Sequence, residues 1–325
     1  MKIDFKNKTG PLLKVIDLKT WFPVKRGFFS RTVDYVRAVD GVCLKIYRGE
    51  TLGLVGESGC GKTTLGRTLL GLEKPSGGKV YYDGLPLHEL SRREMNLLRE
   101  RMQVIFQDPV SSLNPRMTVI DIVTEGLVQF NRIKGSKVEH AKRLMTEVGL
   151  SEDSIYRFPH EFSGGQRQRI SIARAISLRP EFIICDEAVS ALDVSVQAQV
   201  INLLISLQHR YHLSYLFISH DLSVVSNIAD KVAVMYLGQI VESGKTIDIV
   251  EAPLHPYTKA LISAVPVPGE ERTEKILLKG EIPSSLSPPV GCRFHPRCPE
   301  AMPVCSKNAP ARKQINGREV LCHLY

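Results

Sequence analysis

Residues 12–18 and 36–46 carry apolar side chains in partial alternation, the period of a strand with one covered face, and the basic stretch Lys25-Arg26-Gly27 lies between them. Residues 51–55 are a short apolar run that leads straight into a glycine-rich loop, and 63–72 then predicts a helix ending near Gly71. Runs at 79–82 and 102–106 predict further strands. From about residue 116 to 160 the period lengthens, with Val119, Ile122, Val123, Leu127 and then Leu144 and Val148 at helical spacing. A Ser-Gly-Gly turn opens a helix predicted over 165–176. The compact apolar runs 182–185 and 213–218, bounded by charge or histidine, predict buried parallel strands, with a helix over 195–210 between them. Strands alternating with helices predict an α/β fold with a parallel sheet, interrupted by a helical insertion. Beyond about Lys245 the pattern stops. Prolines crowd a glycine- and cysteine-containing tail, which predicts a loop-rich small domain in need of its own staple.

Composition adds little to this and excludes a few classes. The chain has 325 residues, 43% hydrophobic and 24% charged, as in ordinary globular proteins. No stretch approaches about eighteen consecutive apolar residues, and the opening Met1-Lys2-Ile3-Asp4-Phe5-Lys6 lacks the apolar centre of a signal peptide. The chain is therefore expected to stay in the cytosol. A formal charge of +9 suits an anionic partner, nucleic acid or the cytoplasmic face of a membrane, and equally a merely soluble basic surface. No run of five or six like charges marks a nucleic-acid arm.

The chemistry starts at Gly56-Glu57-Ser58-Gly59-Cys60-Gly61-Lys62-Thr63, a complete G-x-x-x-x-G-K-[ST] between a predicted strand and a predicted helix, with Thr64 next. Glycines let successive backbone N–H groups turn toward phosphate oxygens, and the helix beginning near Lys62 adds its positive end. Lys62 is expected on the β- and γ-phosphates of ATP and the Thr63 hydroxyl on Mg²⁺. The run Phe182-Ile183-Ile184-Cys185-Asp186-Glu187 delivers two carboxylates to the end of a strand, where ligands collect in open α/β sheets. Paired acids there are otherwise common helix caps; beside a phosphate loop, Asp186 is expected to hold Mg²⁺ and Glu187 to act as the general base on the attacking water.

Phe162-Ser163-Gly164-Gly165-Gln166 resembles the signature of ABC ATPases, with Phe162 where leucine is usual. The resemblance covers essentially the whole chain. It implies a P-loop NTPase core with an N-terminal antiparallel β subdomain over 11–250, a helical subdomain over about 108–162, and a small Cys-rich C-terminal domain over 251–325. Gln107 then takes the place of the Q-loop glutamine, a Mg²⁺ ligand and a link to hydrolysis; Ser190-Ala191-Leu192-Asp193 resembles the D-loop; and His220 matches the switch histidine. Ala188 and Val189 depart from the family's Pro-Thr without removing a catalytic group. In this family the signature of one subunit meets the ATP of a facing subunit, so Ser163, Gly164, Gly165, Gln166 and Asp193 would serve the partner's nucleotide in a head-to-tail dimer. An upstream aromatic stacks on adenine; Tyr35 is closest to the expected place, with Phe28 and Phe29 as rivals.

His255-Pro256-Tyr257-Thr258, with Ala264-Val265-Pro266, resembles the C-terminal extension of ATPases from oligopeptide and dipeptide importers. The segments 22–29 and 37–42 resemble the second ATPase of the heterodimeric pairs. Four cysteines crowd this tail, Cys292, Cys298, Cys305 and Cys322, at spacings unlike the paired C-x₂-C of zinc ribbons. A reducing cytosol argues for a metal site over disulfides, and thiolates suit Zn²⁺ or an iron–sulfur cluster, with His295 and His323 as alternative zinc ligands. The resemblance implies a [4Fe–4S] cluster. It also implies two transmembrane permease subunits, a second and different ATPase subunit, an extracytoplasmic peptide-binding protein, no nucleic acid, and a peripheral place at the cytoplasmic face of the inner membrane. Residues 111–115 would line the groove that receives the permease. Nickel-chelate or oligosaccharide cargo remains open, as does a soluble ABC ATPase acting on DNA or ribosomes. The latter usually carries two cassettes or a long coiled coil, and neither pattern is present.

Overall fold

The computed structural model describes residues 10–26, 31–264 and 276–325. The chain divides into two compact units.

The first unit comprises Tyr47–Glu50 and Leu90–Ile218. Its strands Met102–Ile105, Phe182–Asp186 and Ser214–Ser219 pair in parallel in that order, with Ile105 opposite Cys185 and Asp186 opposite Ile218. The last two are buried along their whole length, which is why they read as unbroken apolar runs. Around them stand helices Arg92–Arg101, Pro109–Ser112, Val119–Gln129, Lys137–Glu147, Gly164–Ile176 and Val194–Tyr211. Val119, Ile122, Val123 and Leu144 are buried, as their spacing predicts. At the start of the 182–186 strand, Glu181 accepts hydrogen bonds from Arg48, at 2.8 Å, and from Arg101. Burial raises its pKa, but these two cations together hold it below the usual carboxylate value.

The second unit comprises, among the described residues, 10–46, Thr51–Glu89 and Ser219–Tyr325. One sheet is antiparallel, in the order Arg31–Ile46, Leu13–Arg26, Gly77–Tyr82, Leu85–Pro86. Another begins with Thr51–Val55 parallel to Lys231–Tyr236 and continues antiparallel through Gln239–Lys245, Arg318–Leu321 and Arg312–Ile315. Among the described residues no helix is long and apolar enough to cross a membrane.

Three differences from the sequence reading have physical causes. The first two strands run on to Arg26 and from Arg31, so Lys25 and Arg26 belong to the hairpin itself; cross-strand pairing from Trp21–Arg37 to Arg26–Arg31 outweighs a weak local pattern. Strands Lys231–Tyr236 and Gln239–Lys245 and helix Arg92–Arg101, the last opened by a reciprocal Ser91–Glu94 capping box, are not among the expected elements. Among the described residues, the tail expected as a domain from 251 onward holds helix Pro256–Ser263, a short 3₁₀ turn at His295–Arg297 and a hairpin, and it packs as part of the unit that carries the phosphate loop.

Candidate nucleotide site

In the second unit the fully buried strand Thr51–Val55 ends at the phosphate loop, and helix Lys62–Leu69 leaves it with Gly61 as N-cap. No side chain caps this helix, so its first amides keep the freedom to meet an anion. Lys62 is buried; its ammonium donates to the carbonyls of Gly56, at 2.7 Å, and Glu57, at 3.1 Å. The cation is thus held inside the loop. Gly61 has φ 109°, and a β-carbon there would lie 2.0 Å from the Ala38 carbonyl oxygen. Gly59, at φ 78°, has nothing within 4 Å of such a carbon. Cys60 is buried, which raises its thiol pKa against the opposing pull of Lys62. Ser58 is exposed and Thr63 and Thr64 half-buried.

Tyr35 sits opposite Pro23 in the antiparallel sheet, 44% exposed, with its ring 6.3 Å from that of Trp21. Trp21 carries no motif that would single it out in the sequence. It donates to Asp40 at 3.2 Å and carries the Arg37 guanidinium 5.1 Å from its ring centre. Phe28 and Phe29 lie outside the described residues. His220 is exposed and directly follows strand Ser214–Ser219.

In the first unit Asp186 is buried at the end of its strand. Glu187 turns the chain through a left-handed conformation, φ 48°, held by its N–H donating to Ile218 at 3.0 Å. The structure brings Gln107 to it: the Gln107 amide donates to the Glu187 carboxylate at 2.8 Å. Ala188 and Val189 are each 2% exposed, so the departure from Pro-Thr fills a packed position. Phe162 is buried likewise.

The signature serine does what its sequence context predicts locally. Ser163 caps helix Gly164–Ile176 in a reciprocal box, its hydroxyl accepting from Gln166 N–H and its own N–H donating to the Gln166 side chain at 3.0 Å. Asp193 caps helix Val194–Tyr211, and the Val196 N–H it accepts lowers its pKa. Residues 111–115 are mostly exposed, with Ser112 half-buried and Leu113 buried. A cavity of about 360 Å³ is lined by Gln103, Phe106, Glu125, Gln129, Phe130 and Arg174, among others, and not by 111–115. Leu113 is buried, and the segment touches the cavity's wall through Arg174, which donates to the Ser112 carbonyl at 2.7 Å.

Cys292, Cys298, Cys305 and Cys322 are free thiols. The Cys292 N–H donates to the Cys305 carbonyl at 2.8 Å. Burial raises the pKa of Cys292, and of Cys298 to about 11; the charges of the neighbouring thiols add to both. The four therefore share one quarter, and their donor chemistry fits a thiophilic metal. They are not drawn into a ligand set: among the described residues no three His, Cys, Asp or Glu side chains form a group able to hold a metal ion. His295 and His323 each commit a ring nitrogen to a backbone carbonyl, those of Cys292 and Asn308, both at 2.8 Å.

The His-Pro-Tyr-Thr motif proves to be a junction. His255 caps helix Pro256–Ser263 by accepting the Tyr257 N–H at 3.1 Å, and its own N–H donates to the buried Glu242 at 2.9 Å. Burial first, and Lys259 second, push its pKa down to about 3. The Tyr257 hydroxyl accepts the N–H of Glu57 in the phosphate loop at 2.9 Å. No sequence signal announces that contact.

A strand–phosphate-loop–helix, a strand ending in two acids and a capped Ser-Gly-Gly turn, all in one chain, define an ABC-type ATPase. The ABC transporter family model matches residues 39–190 and the model of the oligopeptide/dipeptide transporter C-terminal region matches 241–305. The oligopeptide transport ATP-binding protein OppF of Salmonella typhimurium is 52% identical over 318 residues, covering 96% of this chain and 95% of that one. The dipeptide transport ATP-binding protein DppF of Escherichia coli is 50% identical over 314 residues, covering 96% and 94%. Among solved structures, cbiO1 of Clostridium perfringens, part of the ABC transporter complex cbiONQ, aligns with TM-score 0.65 at 27% identity over 75% of this chain and 92% of that one. The ATP-binding cassette MJ0796, solved as a dimer bound to ADP and Pi, aligns with TM-score 0.63 at 26% identity over 72% and 98%. The chain belongs to the ATP-binding proteins of oligopeptide and dipeptide ABC transporters.

Proposed function

We propose that this chain hydrolyses ATP to power the import of di- or oligopeptides, and that Gln107, Glu187, Lys62 and His220 carry the chemistry. The observation that supports the assignment best is the 2.8 Å hydrogen bond from Gln107 to Glu187. It fixes the carboxylate as acceptor and turns the glutamine's amide oxygen the other way. Glu187 polarises the attacking water as general base. His220, at the end of the next strand, orients the γ-phosphate, and the Lys62 ammonium neutralises it. Thr63, Asp186 and Gln107 offer hydroxyl, carboxylate and amide oxygens, the hard donors that suit Mg²⁺, which supplies charge neutralisation on the phosphates when bound.

Ser163, Gly164, Gly165, Gln166 and Asp193 act on the nucleotide of a second ATPase subunit facing head to tail, most simply a different chain of the same family. Tyr35 stacks on adenine, with Trp21 as its support. The four C-terminal thiols, in a Cys-rich module, hold a [4Fe–4S] cluster, an all-thiolate set at spacings unlike the paired C-x₂-C of zinc ribbons, with zinc as the alternative. The cavity beside Arg174 receives a permease subunit at the cytoplasmic face of the membrane, and a peptide-binding protein delivers cargo from the other side.

Reconstitution tests this. With two permease subunits and a partner ATPase in vesicles, hydrolysis should rise on adding the peptide-loaded binding protein. Gln107→Ala should depress transport far more than ATP binding. Stimulation by DNA or ribosomes in place of permease would refute the importer reading and favour the soluble ATPase.

A further inference from the structure

Glu57 is one of the unspecified positions of the phosphate loop, yet three bonds from the C-terminal extension converge on it. Arg297 donates through Nη1 to Oε2 at 2.7 Å and through Nη2 to Oε1 at 3.0 Å, a two-pronged ion pair that takes up both carboxylate oxygens. Its side chain is 7% exposed and that of Glu57 26%. The third bond joins the Glu57 N–H to the Tyr257 hydroxyl. The residues that make these bonds are themselves fixed. Tyr257 packs on Tyr236 at 4.8 Å and on Phe294 at 5.4 Å between ring centres, and the Arg297 guanidinium stands 5.9 Å from the Tyr236 ring. A second arm runs in parallel: Arg293 pairs with Asp40 and donates to the Leu237 carbonyl, and the next residue, Gly238, donates to the Cys60 carbonyl at 2.8 Å.

We propose that Arg297, seconded by Tyr257, is a positioning residue for nucleotide binding, acting through Glu57. A carboxylate in a loop that wraps a triphosphate repels its ligand unless it is neutralised and turned aside. Arg297 does both. Glu57 also offers its carbonyl to the Lys62 ammonium, so a tethered Glu57 holds the loop's cation in place as well. The extension is thereby a structural part of the ATP site, and the chain segment between Cys292 and Cys298 presents both anchoring arginines to it. The proposal rests on the nucleotide-binding reading of the loop.

The test is MgATP titration of the full chain, alongside steady-state hydrolysis in the assembled transporter. Arg297→Met should weaken MgATP binding by about tenfold to a hundredfold, the range charge-assisted hydrogen bonds command. At saturating nucleotide kcat should change little, because the loss falls on binding. Adding Glu57→Gln to Arg297→Met should restore most of the affinity, since no uncompensated carboxylate is left. Arg297→Lys, which keeps the charge and loses the fork, should fall between, and Tyr257→Phe should cost several-fold. Wild-type affinity in Arg297→Met, or a double variant as weak as the single one, overturns the proposal. If Arg297→Met does not fold, Arg297→Lys and Glu57→Gln carry the test, and unchanged affinity in both overturns it. Lys62→Ala separates the two levels of argument: if it binds MgATP normally, the loop reading itself fails.

Discussion

Replacing Gly61 by alanine puts a methyl carbon 2.0 Å from the Ala38 carbonyl oxygen and 2.9 Å from Met235 Cε. Favourable contact needs about 3.5 Å, so the helix start and the strand beside it must part by roughly 1.5 Å. The φ of 109° adds backbone strain of about 1–3 kcal/mol, and forcing a methyl into a packed site costs about 1–3 kcal/mol more. Gly59 supplies the control from the same loop. Its φ of 78° is also left-handed, but nothing lies within 4 Å of the added carbon, so Gly59→Ala should cost only the strain, about 1–2 kcal/mol. Urea unfolding of the two variants should separate them by that difference in room. MgATP titration should separate them further. Shifting the loop's amides by an ångström or more should cost Gly61→Ala about a hundredfold or more in function, against a modest loss for Gly59→Ala. Equal losses in the two variants would refute the argument, because the packing contact would then be irrelevant.

Glu187→Gln keeps an amide oxygen to accept from Gln107 but cannot take a proton. Turnover should fall by about 10²–10⁴ while an ATP-loaded dimer accumulates on gel filtration; turnover within about tenfold of wild type removes Glu187 as the base. Purified without oxygen, the protein should be brown with broad visible absorbance, and Cys298→Ser should bleach it with the phosphate-loop unit still folded; a colourless preparation carrying zinc would answer otherwise. His255 gives a pH signature. Its folded pKa of about 3 lies below the ordinary 6.5, so below 6.5 the unfolded chain takes up a proton the folded one refuses. Stability is full above that pH and falls toward pH 3, by at most about 1.4 kcal/mol per pH unit. Lys259 and the Phe294 ring face this group, while Glu242 accepts the His255 backbone N–H; His255→Asn keeps the helix cap, and its urea midpoint should fall less between pH 7 and pH 5 than wild type's.

Motifs with a fixed local geometry are legible in the amino-acid sequence alone. The phosphate loop needs its strand, glycines and helix within a few residues, and Ser163 announces its cap through Gln166 three positions on. The buried strands 182–186 and 214–219 show themselves because burial on both faces leaves no polar alternation. What stays hidden depends on distance along the chain. Arg297 meets Glu57 across 240 residues, and its neighbours suggest a metal module. Tyr257 is visible as part of a familiar motif, but its partner is not. The burial of Leu113 is hidden for a related reason: it sits in a polar, proline-bounded segment and is pinned by packing that no local pattern encodes.

The hairpin Arg312–Ile315 and Arg318–Leu321 lies along strand Gln239–Lys245, pairing Glu242 with Val320 and Ser243 with Glu319. While the chain is being made, that strand leaves the ribosome roughly 75 residues before its cover, an interval of about 4–15 s at ordinary elongation rates. During it the strand's outer N–H and C=O groups are an open template for another nascent chain. Slowing translation across the tail should then lower the yield of folded protein without altering a single contact in the folded state.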